Sequence, residues 1–205
     1  MPYPIFLDVK GRSAVIIGGG KVAARKAAGL LEEGAKITVV SPALAPELQH
    51  FLNEGQITWV QKTFSPEDLM NAFLVFAATN SREINLQVKT AAKDGQLVNI
   101  ADAPDASDFH IPSNVKRGKL TIAISTSGAS PTLARKIRRD LEQKYDESYQ
   151  GAVGFLHRCR KSILAELEDP GERSKLLAMI SEEDFWKKDD REDRFRVLLK
   201  EIKKR

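Results

Sequence analysis

Cysteine is nearly absent: Cys159 is the only one in 205 residues. A single thiol cannot close an internal disulfide, and it cannot supply a structural zinc site. A reducing, cytoplasmic compartment is the simple expectation. Long apolar runs are also missing. The longest, residues 14–20 and 73–78, are strand-sized, far short of the ~20 residues a membrane-spanning helix needs, so no membrane partner is expected. The opening MPYPIFLDVKGR has no basic segment followed by an apolar one, and no signal peptide is expected. Charge of one sign is scarce. Thirty-two Lys and Arg against 28 Asp and Glu leave a net charge of +4. That suits an anionic ligand but is too weak to require nucleic acid, and none is expected as a partner. The histidines, His50, His110 and His157, lie far apart without metal-ligand spacing, so no metal site is expected. There is no P-loop, and no Ser-His-Asp set can be argued.

What remains is an ordinary globular composition, 42% hydrophobic and 29% charged, with length for one or two domains. The first ~110 residues alternate strand and helix signals. Strands are expected at residues 4–7, 13–17, 36–40, 57–60, 73–78 and 97–100. Helices are expected at 21–33, 44–53, from Ser65-Pro66, and from Ser81 to about Asp94. Gly34 and Gly95 read as helix stops. Alternation at this spacing implies βαβ units and a parallel sheet covered on both faces. The pattern then changes. Residues 108–111 and 120–125 read as strands, and Ser130-Pro131 opens a helix. Residues 150–205 read as three or four short helices with breaks near Asp169-Pro170-Gly171 and Ser181. The expected class is α/β: a Rossmann-type parallel sheet, a small α+β segment, and an all-helical C-terminal domain.

The sharpest motif is VIIGGGKVAARKAAGL, residues 15–30. Gly18-Gly19-Gly20-Lys21-Val22-Ala23 fits G-x-G-x-x-A between an expected strand and an expected helix. Gly18 allows the tight turn, Gly20 lets the backbone approach a pyrophosphate, and Ala23 permits close helix–strand packing. The N–H groups at Lys21 and Val22 then face the anion. The acid that commonly reads the ribose after the second strand is absent. Ser41 can hydrogen-bond a ribose hydroxyl, or Ser41-Pro42 is only a strand-ending turn. No Arg or Lys follows nearby to hold a 2′-phosphate, which leaves NAD favoured by elimination. Thr79-Asn80 ends the fourth expected parallel strand, at a sheet edge where ligands bind in open α/β sheets, or it is part of a helix cap. Asn99 and Asp102 fall at the same sheet edge. Asp102 could accept a proton as a hydride leaves a substrate, or it forms an Asx-turn.

Ser125-Thr126-Ser127 open a hydroxyl-rich loop before a helix N-terminus, able to donate to an anion or to cap the helix. Lys116, Arg117, Lys119, Arg135, Lys136, Arg138 and Arg139 surround it in sequence, with Asp140 and Glu142 the only acids from 116 to 143. Such a segment suits a polycarboxylate, or is a solvated basic face. The charge-dense stretch 187–205 carries Val197, Leu198 and Ile202 at helical spacing and reads as a packed, solvated helix.

Four stretches in order, PIFLDVKGRSAVIIGGGKVAARKAAGLLEEGAKITVVSP, FAATN, VNIADAPDASDFHIPS and LTIAISTSGASPTLARKIR, resemble the precorrin-2 dehydrogenase family. That family includes the N-terminal module of siroheme synthase and stand-alone relatives. The resemblance implies NAD-dependent oxidation of precorrin-2 to sirohydrochlorin. In some relatives it also implies insertion of ferrous iron afterwards. It implies a homodimer, with a Rossmann domain at 1–112, a dimerisation segment at 113–147 and a helical domain at 148–205. The family's essential aspartate maps onto Asp102, and its substrate-cavity segment onto Ser125, Thr126 and Ser127, Thr126 standing where one relative has Ser. The substrate would be a polycarboxylate tetrapyrrole. At 205 residues the chain has no room for the methyltransferase of fused synthases, so a separate enzyme would supply precorrin-2. A non-catalytic NAD-sensing protein is the alternative of a different class.

Overall fold

The computed structural model describes residues 2–203, and they form two compact units, one up to Ile111 and one from Pro112. In the first unit the elements are β1 (Ser13–Ile17), α1 (Lys21–Glu32), β2 (Lys36–Val40), α2 (Pro46–Asn53), β3 (Ile57–Val60), β4 (Leu74–Ala77), α3 (Arg82–Ala91) and β5 (Leu97–Ile100). The five strands pair in parallel in the order β3-β2-β1-β4-β5. The order reverses at β1, whose neighbours β2 and β4 lead away to opposite sides. A crevice opens at their carboxyl ends for that reason.

Alternation along each strand builds two cores. Ala14, Ile16, Ile37, Val39, Leu74 and Phe76 point to the face covered by Ala23, Ala27 and Leu30 of α1 and Leu48 of α2. Val15, Ile17, Val40, Val75, Ala77, Val98 and Ile100 point to the other, under Val88 of α3. Small residues on α1 bring that helix close to the sheet. Gly34, at φ +74°, ends it in the left-handed region that a side chain rarely adopts.

Two expected strands do not form here. Residues 4–7 are irregular, and Phe6 is 74% exposed. No strand of the described chain pairs with them, and Pro2 and Pro4 lack the N–H that a ladder needs. Residues 108–111 run beside β5 and join it through one backbone bond, Asp108 N to Val98 O (2.8 Å), and otherwise through side chains. The Asp108 carboxylate accepts from Val98 N (2.9 Å), Ser107 Oγ from Ile100 N (2.8 Å), and Asn99 Nδ2 donates to the Phe109 carbonyl (2.9 Å). This covers the sheet edge without extending the ladder. The helix expected from Ser65 is only a 3₁₀ turn, Pro66–Leu69, because the chain must reach β4 at Leu74.

The second unit contains β6 (Ser113–Arg117), β7 (Leu120–Ile124), α4 (Pro131–Lys144), α5 (Ser148–Glu166), α6 (Pro170–Ser181), α7 (Glu183–Trp186) and α8 (Arg191–Lys203). β6 and β7 form an antiparallel hairpin. β6 had no sequence signal: in SNVKR only Val115 is apolar, and it is buried. α5 is 19 residues long where short helices were expected, and it runs through Gly151 and Gly154. Phe155, Cys159 and Ile163 of α5 meet Leu176 and Ile180 of α6, Phe185 and Trp186 of α7, and Phe195 and Leu199 of α8 in one core.

Candidate active site

The crevice at the end of β1 encloses about 480 Å³ and is lined by Gly18, Gly19, Gly20, Ser41, Pro42, Ala43, Lys62, Thr79 and Asn80 among others. Gly18 has φ +121°, and a Cβ on it would collide with the Ala78 carbonyl. A Cβ on Gly19 would collide with the Ala43 carbonyl oxygen, whose loop is also tied down by Ala45 N donating to Gly19 O (2.7 Å). Gly20 differs: nothing lies within 4 Å of where its Cβ would be. That space is left at the start of α1. No side chain caps this helix, and its first turn holds no acid. Unpartnered N–H groups and the positive end of the helix dipole therefore face an anion-sized opening. This cradle fits the pyrophosphate of a dinucleotide. Lys21 and Val22 offer it backbone N–H groups, while the Lys21 side chain lies exposed outside the lining.

Ser41 does not read a ribose as a donor. It is 3% exposed, and its hydroxyl donates to Ala43 O (2.9 Å). The structure also brings a cation to this end of the crevice, contrary to the expectation from nearby sequence. Lys62 follows β3, the neighbour of β2 in the sheet, and lines the same opening. Its ammonium pairs with Asp68 (2.9 Å) and reaches Ser65 Oγ (2.7 Å). Asn99 is not brought to the crevice: it is buried, and its amide serves Phe109.

Thr79 and Asp102 are joined by a residue that belongs to no motif. Asn85, on the first turn of α3, is fully buried. Its Oδ1 accepts from Thr79 N (3.1 Å) and Thr79 Oγ1 (2.8 Å); its Nδ2 donates to Thr79 O (3.2 Å) and Asp102 Oδ1 (2.8 Å). Asp102 is exposed in the loop after β5. Ser81 caps α3 by accepting from Ile84 N (3.3 Å). Close by, Asp108 holds its carboxyl below the ordinary carboxylate range. Burial opposes ionisation, but the Lys89 ammonium and the Val98 N–H outweigh it.

In the second unit Ser125, Thr126 and Ser127 sit in the turn between β7 and α4. Ser125 Oγ accepts from Ser127 N (3.1 Å), and Thr126 Oγ1 accepts from Ser130 N (3.2 Å). Those hydroxyls act as acceptors within the loop, which leaves their protons for an outside partner. Ser127, at φ +49°, is the one non-glycine in the left-handed region among the described residues. The basic segment divides. Arg117 turns inward to the carbonyls of Lys116 (2.8 Å) and Glu142 (3.3 Å), and Arg138 pairs with Glu142 (2.6 Å). Neither belongs to an open basic face. Among the described residues no three His, Cys, Asp or Glu side chains gather as metal ligands.

Residues 5–113 match a family described as "Putative NAD(P)-binding", and residues 117–144 match one described as "Sirohaem biosynthesis protein central". The chain is 40% identical to precorrin-2 dehydrogenase of Priestia megaterium, over 89% of this chain and 91% of that one. It is 34% identical to precorrin-2 dehydrogenase of Bacillus subtilis, over 77% of this chain and 98% of that one. The siroheme synthase of Nitrosococcus oceani is 37% identical over 90% of this chain but only 38% of its own length. Among solved structures, SirC, a precorrin-2 dehydrogenase, superposes with a TM-score of 0.85 at 37% identity, covering 98% of this chain and all of that one. With a nicotinamide-dinucleotide fold at its N-terminus and such relatives along most of its length, the chain belongs to the precorrin-2 dehydrogenase family.

Proposed function

We propose that this chain oxidises precorrin-2 to sirohydrochlorin with NAD. The observation that carries the reading is the glycine-lined crevice at the strand-order reversal, with Asp102 tied by hydrogen bonds to its rim at Thr79. Gly18, Gly20 and the backbone of Lys21 and Val22 hold the pyrophosphate; Pro42, Thr79 and Asn80 shape the walls. The dinucleotide, when bound, supplies the acceptor for a hydrogen and its electron pair. The substrate must also release a proton, so the balanced reaction yields sirohydrochlorin, NADH and H⁺. Asp102 takes or orients that proton. Its Oδ1 is engaged by Asn85, and no hydrogen bond to its Oδ2 occurs among the described residues. NAD is favoured over NADP because the cation at the crevice, Lys62, is already neutralised by Asp68.

The hydroxyls of Ser125, Thr126 and Ser127 donate to substrate carboxylates. The protein works as a homodimer, in keeping with the family resemblance. The single thiol fits a cytoplasmic setting. Among the described residues no helix is long and apolar enough to cross a membrane.

The test is anaerobic turnover of enzymatically generated precorrin-2 with NAD, followed by the absorbance of sirohydrochlorin and NADH. NAD-dependent product is expected. Dinucleotide binding without turnover would overturn the reading in favour of a sensor. Asp102→Asn should lower kcat ~10²–10⁴-fold if Asp102 is the base, and less if it only orients.

A further inference from the structure

We propose that Asn85 is a positioning residue that fixes the Asp102 carboxylate relative to the cofactor-side strand end at Thr79; this rests on reading Asp102 as the group that handles the substrate proton. The orientation of the Asn85 amide follows from its partners. The Thr79 backbone N–H can only donate, so Oδ1 of Asn85 must face it. Nδ2 must then face the Thr79 carbonyl and Asp102 Oδ1, both acceptors. Both amide hydrogens are used, and Oδ1 accepts from the Thr79 N–H beside the Thr79 hydroxyl, whose single proton is shared with the Ser81 carbonyl (3.0 Å). An amide so held cannot rotate without breaking several bonds in a buried site, where an unmade bond is costly.

The link is specific in its geometry. Asn85 rides on the helix that crosses from β4 to β5, the two strands whose ends carry Thr79 and Asp102. One buried side chain therefore sets the distance between two loops that the backbone ladder leaves behind. Asp102 is exposed, and the bond from Asn85 is the one hydrogen bond its carboxylate makes among the described residues, while backbone bonds hold Ala101 and Ala103 on either side. A carboxylate misplaced by about 1 Å can lose ~10²-fold in rate.

The test uses the full chain carrying Asn85→Asp, nearly isosteric, and Asn85→Ala, each alone and combined with Asp102→Asn. Asn85→Asp keeps an oxygen for Thr79 N–H but sets an acceptor against Asp102. Four readings are taken: kcat, KM for precorrin-2, NAD affinity by fluorescence titration, and thermal midpoint. The expected result is a fall in kcat of at least ~10-fold, with KM and NAD affinity within ~3-fold. In the Asp102→Asn background the same changes should alter kcat by less than ~3-fold. The thermal midpoint lost in Asn85→Asp should also recover there, because the amide introduced at position 102 can donate to the new carboxylate. Equal losses in both backgrounds, or an unchanged kcat in Asn85→Ala, would overturn the proposal. If Asp102→Asn by itself leaves kcat unchanged, the reading of Asp102 fails, and the positioning role fails with it.

Discussion

Three consecutive glycines are glycine for two different reasons. Gly18 and Gly19 are glycine because backbone oxygens of Ala78 and Ala43 occupy the space of a Cβ. Gly20 is glycine where the space is open, and it stands at φ −90°, which any residue adopts. Gly20→Ala should therefore leave the thermal midpoint nearly unchanged and weaken dinucleotide binding roughly tenfold or more, about 1.4 kcal/mol. Gly19→Ala should destabilise the fold itself, at the upper end of the roughly 1–3 kcal/mol typical of overpacking. Thermal melts and a dinucleotide titration on the two variants separate these outcomes. The motif was legible because its chemistry is local. Ser41 was legible as a position but not as a role, since the neighbour that takes its proton, Ala43 O, is a matter of loop path. Asn85 was missed because an Asn on the first turn of a helix reads as solvated. Its place on the stripe shared with Val88 and Ala92, three and seven residues on, was the available signal.

Elements with local signatures fell where expected. β1, β2, β3 and β5 match residue for residue, and Ser81 and Ser130 cap their helices. Elements that depend on a partner did not. An apolar run at residues 4–7 makes no strand without a neighbour, and polar β6 makes one because β7 pairs with it. The Pro66–Leu69 turn shows how an element can tune a site from outside. Its capping box uses Asp68 Oδ2 to accept from Ser65 N (2.9 Å), while Oδ1 of the same carboxylate holds Lys62. Asp68→Asn keeps an oxygen for the cap and removes the charge that neutralises Lys62. The variant should bind NADP more tightly than the parent, by severalfold, with NAD affinity little changed. Parallel titrations with the two dinucleotides decide it; equal shifts in both would exclude a 2′-phosphate role for Lys62.

At the scale of the whole molecule, the helical unit carries two groups that tie its stability to alkaline pH. Burial pushes the Cys159 thiol up to about 12, and the Glu183 carboxylate accepting from Tyr149 Oη pushes that phenol up to about 12. Both groups lie in the helical unit. Both keep their protons more firmly folded than unfolded, so their stabilising effect is complete below the ordinary values of 9.0 and 10.0. It is lost as pH rises from there towards about 12. Urea midpoints measured by circular dichroism between pH 8 and 11 should fall. Cys159→Ala and Tyr149→Phe should each flatten the slope. Cys159, 2% exposed, should also resist alkylation at pH 8 until the unit unfolds.

The chain's two tryptophans are divided between the units. Trp186 is buried in the helical core, with the Tyr149 ring at 5.1 Å. Trp59, on β3, donates its indole N–H to the Ser41 carbonyl (3.0 Å), against the wall of the cofactor crevice. The protein thus carries one intrinsic fluorophore per unit. Trp59, one hydrogen bond from the crevice wall, is expected to change emission when the crevice fills, and Trp186 when the helices unfold, so binding and unfolding should be followed as separate optical signals without a label.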